Sequence, residues 1–213
     1  AHAPEFSRVF AARTCMMAGV GLTGVFLWYL VRFWVYGKAV VLTSAPLTIP
    51  AGFLIAGMAV ATLIGAALAS WAAGPISERI EEKNIPVARV VAGACLLYAA
   101  GLALAWGLGV WSTGTARENG MLLFALISGF AFGVYDSLGL ELVMDSLPDP
   151  RRAGHDLGIY ALANSAGLAL AAIIGALLVN AFEHSFGYYL LFPSAIVMVL
   201  LAGIVTLTTK SAE

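Results

Sequence analysis

Charge is scarce in this chain. Only 11% of its 213 residues are charged and the net charge is −1, whereas soluble domains carry roughly a quarter charged residues. That balance excludes an ordinary soluble domain and leaves no electrostatic footprint for a nucleic-acid partner. Cysteine is sparse too. Cys15 and Cys95 both sit inside apolar runs, where small buried hydrophobes are expected rather than a disulfide or metal site. The three histidines, His2, His155 and His184, are scattered in polar segments. The sequence has no Ser/His/Asp grouping, no metal-ligand spacing and no phosphate-cradling glycine loop. An enzyme is therefore not expected, nor a cofactor or metal.

What the chain has is apolar length. It is 61% apolar with a mean hydropathy of +0.93. Hydropathy marks six spans at about 9–35, 47–73, 86–111, 120–145, 157–182 and 187–209, each longer than the roughly 20 residues a bilayer requires. Backbone groups in lipid must be satisfied internally, so each span is expected to be a helix. The period-two alternation of a β-barrel is absent. The first run is too long, and too interrupted by Arg13, for a signal peptide. Connections are short, so neighbouring helices are expected antiparallel, in one all-α integral membrane bundle over 1–213.

Basic residues predict the orientation. Arg8, Arg13, Arg79, Lys83, Arg89, Arg151, Arg152 and Lys210 gather on one side; Arg32, Lys38 and Arg117 lie on the other. The richer side is expected to be cytoplasmic, with both termini inside and Arg8 and Arg13 marking the inner boundary. Trp28, Trp34, Tyr36, Trp106, Trp111, Tyr188 and Tyr189 are expected near the outer interface. Small residues recur at packing spacing: Ala163, Gly167, Ala171 and Gly175 on the fifth span, and Gly129 and Gly133 on the fourth. Such faces let helices approach closely.

Ionisable residues inside a membrane are costly and are functional candidates by default. Asp136 is the deepest, about 13 Å along a helix from Asp145. It is expected to bind a proton, a cation or a solute hydroxyl, or else to pair with another helix. Glu141 and Asp145 share a helix face that Asp136 does not, and pair with Arg151 and Arg152 in this reading. Asp156 is placed as a helix N-cap. Asn164 and Tyr160 share a similar face, and Tyr135 adjoins Asp136.

The segment after the second span, GPISERIEEKN from Gly74, resembles the cytoplasmic loop motif G-x-x-x-D-R-x-G-R-R of the major facilitator superfamily. Gly74 matches the first glycine, Glu78 stands for the Asp, and Arg79 matches the Arg. LPDP at 147–150, GHDLG at 154–158 and Ala163–Asn164 are similar to the stretch between helices ten and eleven in relatives of the sugar–cation symporters. Those relatives place an acid nearer the Leu-Pro pair, where this chain has Gly139. The resemblance implies half of a major facilitator fold, the C-terminal six helices of a secondary transporter in a cell membrane, specifically a bacterial inner membrane. It further implies a small polar solute, with a sugar suggested by the branch, coupled to H⁺ or another cation. Asp136, Asn164, Tyr135 and Tyr160 would face the cavity, and Gly74, Glu78, Arg79, Asp145 and Arg152 would form the cytoplasmic gate. Six helices cannot alternate access alone, so a second six-helix half or another membrane subunit is an expected partner beside the bilayer. The alternative is a non-transporting scaffold or assembly subunit that keeps a transporter half-fold.

Overall fold

The computed structural model describes residues 3–36, 49–112, 114–146, 153–182 and 184–209. Among them every regular element is helical: α1 (Ala3–Gly24), α2 (Leu27–Tyr29), a π-helical segment (Leu30–Val35), α3 (Ile49–Glu82), α4 (Val87–Trp111), α5 (Thr115–Asp145), α6 (Ala153–Ala181) and α7 (His184–Leu207). These make six apolar spans long enough to cross a bilayer. The first span is compound. It turns at Val25–Phe26, resumes as α2, then widens into the π-helical segment, where the Tyr36 N–H donates to the Val31 carbonyl at 3.2 Å. The wider turn accompanies bulky packing. Trp34 lies edge-on to Tyr189 with ring centroids 4.0 Å apart and fills the space left by Gly109.

The start of α1 and the end of α7 lie at one end of the bundle. The Arg8 Nη1 donates to the Thr208 carbonyl at 2.9 Å, tying the start of α1 to the residue after α7. At the opposite end, Arg117 donates to the carbonyls of Ser112 (2.7 Å) and Trp34 (3.0 Å).

Helix contacts divide the bundle into two triplets. α1 packs between α6 and α7, α5 packs between α3 and α4, and α4 against α7 closes the two together. Glycines set the closest crossings. A methyl group on Gly65 of α3 would overlap the Leu126 carbonyl and the Phe130 N of α5; one on Gly167 of α6 would overlap the Thr14 carbonyl and the Ala18 N of α1. Gly133 meets Ala66 and Ala69, and Gly21 meets Leu168 and Ala171. The spacing within each set is the same. α1 with α6 therefore repeats α5 with α3 at a constant register. With three spans per repeat the copies run in opposite directions, an inverted repeat. Sequence patterning anticipated the small-residue faces and now has its reason: Gly167, Ala171 and Gly175 line up against α1 and Phe26, and Gly129 and Gly133 against α3.

Three local expectations need correction. The segment from Gly74 to Glu82 is not a loop. α3 continues through it, and only Lys83–Pro86 turns, with Asn84 at φ 48°. Asn tolerates that left-handed conformation, while ISERIEE is a run of competent helix formers. Gly74 meets nothing within 4 Å, so it serves neither a close approach nor a helix exit. Asp156 is not an N-cap but lies in the first turn of α6, where the helix dipole favours an acid. The aromatic belt is only part interface: Trp111 is exposed, but Trp34 and Tyr188 are buried among other rings.

Candidate functional site

The residue that organises the polar centre is Arg13. It was expected to mark the inner boundary because hydropathy starts the first span near residue 9. Instead α1 begins at Ala3, which puts Arg13 about 15 Å along the helix. Asp136, counted back from the end of α5, and Asn164, counted from the start of α6, fall at the same level. Arg13 Nη1 pairs with Asp136 Oδ1 at 2.7 Å, and Arg13 Nε donates to Asn164 Oδ1 at 2.7 Å. α5, which otherwise barely meets α1 or α6, is joined to both there by one guanidinium.

Arg13 is otherwise enclosed by rings. Its Cζ lies 5.6 Å from the centroids of Phe132 and Tyr135 and 5.8 Å from that of Tyr160. A buried cation needs a counter-ion and hydrogen bonds to offset its desolvation, and ring faces add cation–π attraction. Exposure within the pair is lopsided. The Arg13 side chain is 9% exposed, that of Asp136 54%. The arginine is thus locked in protein while the carboxylate opens on whatever lies outside the chain.

Of the residues expected at the cavity, Asp136, Asn164 and Tyr160 converge on Arg13. Tyr135 converges too but is buried, stacked near Phe132. Asp136 has a partner within the same chain, Arg13. Glu78 and Arg79 are exposed on the last turns of α3, and neither forms an ion pair among the described residues. The Asp145 side chain and all of Arg152 lie outside the described residues, as does the LPDP segment. Asn164→Leu should remove a charge-assisted hydrogen bond, costing about 1.5–3 kcal/mol. Thermal unfolding of the purified protein in detergent will measure it.

A second feature was not anticipated. Between α1, α3, α4 and α5 lies a cavity of about 260 Å³, mostly apolar, with the hydroxyls of Thr23, Thr62, Tyr98 and Ser128 in its wall. Thr23, Thr62 and Ser128 donate to carbonyls of their own helices, those of Val20, Met58 and Ala125. A hydroxyl oxygen that donates one bond still has acceptor capacity, and that of Thr23 is also engaged by the Tyr98 phenol. Ser and Thr are unremarked in helices, so only their convergence from three helices would have revealed the cavity.

An all-helical membrane bundle, made of an inverted repeat with an ion pair at membrane depth, defines a transporter-type fold. The chain belongs to the Major Facilitator Superfamily, whose family model matches residues 51–213. That match covers Asp136, Tyr135, Tyr160 and Asn164 and begins after α1, which carries Arg13. No curated protein and no solved structure matches the chain.

Proposed function

We propose that this chain forms one half, the C-terminal six helices, of a secondary active transporter. It moves a small polar solute by alternating access, coupled to H⁺ or another cation. A sugar fits the branch that the LPDP and GHDLG segments resemble. One observation carries the reading. At membrane depth a carboxylate that is half exposed cannot face lipid without heavy cost, so the Asp136 face opens on a polar cavity, completed by a second half. Protonating Asp136, or binding a cation there, weakens its hold on Arg13. That links occupancy of the carboxylate to the packing of α1, α5 and α6. Glu78 and Arg79, with Asp145 and Arg152, form the proposed cytoplasmic gate.

The test is solute uptake into vesicles containing the chain with its partner half. Asp136→Asn keeps the hydrogen bond but neither charge nor proton exchange. Coupled uptake should fall about ten- to a hundredfold, the loss of one charge-assisted interaction. Undiminished, still-coupled uptake would rule the assignment out. The non-transporting scaffold is favoured by one fact: Arg13 already holds a carboxylate and an amide of its own chain, as a structural lock would. On that reading Asp136→Asn lowers stability and leaves every solute flux unchanged.

A further inference from the structure

The inverted repeat relates the two features described above. At its constant register, Arg13 of α1 stands where Ala125 stands in α5, and Asp136 of α5 where Gly24 stands in α1. Asn164 of α6 corresponds to Thr62 of α3, and Tyr160 to Met58. Phe132 and Tyr135 correspond to Val20 and Thr23. All six counterparts line the cavity. The cavity is therefore the charged centre's mate in the other repeat. Where one copy holds an arginine, an acid and three rings, the other holds small or slender side chains, and the space stays open. Gly24, counterpart of Asp136, meets nothing within 4 Å even with a methyl group added.

We infer that the two repeats divide the work, with the solute held in this cavity and the Arg13–Asp136 pair serving coupling; this rests on the transport reading above. The cavity's chemistry narrows the solute. Among the described residues no ionisable acid or base stands in its wall apart from the Tyr98 phenol, so a charged group would enter without a counter-ion. The hydroxyls of Thr62 and Ser128 offer acceptors, which ask for donors on the ligand. Apolar walls cover its carbon skeleton. A volume of about 260 Å³ exceeds the roughly 150 Å³ of an apolar cavity that admits benzene. The ligand is a small uncharged alcohol or polyol.

The experiment measures binding by thermal shift of the purified full chain with propanediol, xylitol and benzyl alcohol, and with lactate and propylammonium as charged controls. At least one neutral probe should stabilise the protein, and the charged ones should not. Ala125→Leu fills the cavity and should weaken that binding about tenfold or more. Thr62→Val, at an exposed position, removes one acceptor and should weaken it about fivefold. Gly139→Ala, which meets nothing within 4 Å, should leave binding unchanged. The inference is overturned if no neutral probe binds, if charged probes bind equally, or if neither Ala125→Leu nor Thr62→Val alters binding. If the neutral probes bind as described but no uptake occurs, the cavity stands and transport falls. If uptake occurs and both cavity variants bind and transport as the parent does, transport stands and the cavity assignment falls.

Discussion

Asp136→Leu will destabilise the bundle by about 3–5 kcal/mol, while Arg13→Met will cost far less, although both break the same ion pair. The reason is the lopsided exposure of the partners. Removing Asp136 leaves a guanidinium that is 9% exposed with no counter-ion, and an unpaired buried charge carries that penalty. Removing Arg13 leaves a carboxylate that is 54% exposed and can hydrate, while methionine refills the space among Phe132, Tyr135 and Tyr160. Swapping a buried ion for an apolar side chain of similar volume is often close to neutral. The double variant should therefore recover most of the loss seen in Asp136→Leu. A thermal or denaturant unfolding cycle over the four proteins checks this, and equal losses in the two single variants would contradict it. Both variants should abolish coupled uptake, so stability and transport will separate.

The second large effect lies at the helix crossings. Gly129→Val should prevent α3 and α5 from closing, because its Cβ would overlap the Thr62 carbonyl. Backbone cannot give way as a flexible side chain can, so the helices must part along their length and lose the dispersion contacts of the seam. The expected loss is at the upper end for overpacking, about 3 kcal/mol or more, enough to deplete the folded protein from the membrane. Gly139→Ala on the same helix meets nothing within 4 Å and should be neutral or stabilise by up to about 1 kcal/mol. Expression level and detergent unfolding of the pair will show whether the position, not the loss of a glycine, decides the outcome.

Much of the fold was legible in the residues. The spans follow from apolar length, their helical state from the cost of unpaired backbone in lipid, and the tight faces of α5 and α6 from small residues every fourth position. The site was half legible. Asp136, Asn164 and Tyr160 stand out because polar groups are rare at that depth. Arg13 did not, since depth was counted from the onset of hydropathy and α1 starts several residues earlier, through a polar first turn. The Gly74 segment misled because a motif resemblance was read as a loop, whereas its residues favour helix. The cavity could not be read at all. It is a shortage of side-chain volume at Gly24 and Ala125, and such a shortage becomes visible only once the register between repeats is known.

The ties at the two ends of the first span have a mechanical consequence. Arg8 fastens its start to the carbonyl of Thr208, and Arg117 fastens its far end to the carbonyl of Trp34. A beam pinned at both ends cannot slide; it can only buckle, and it buckles at its weakest joint. Here that joint is the turn at Val25–Phe26, next to Gly24 and Leu27 in the cavity wall. Any bending of the first span is thus delivered to the cavity, while the stretch holding Arg13 moves as a rigid rod.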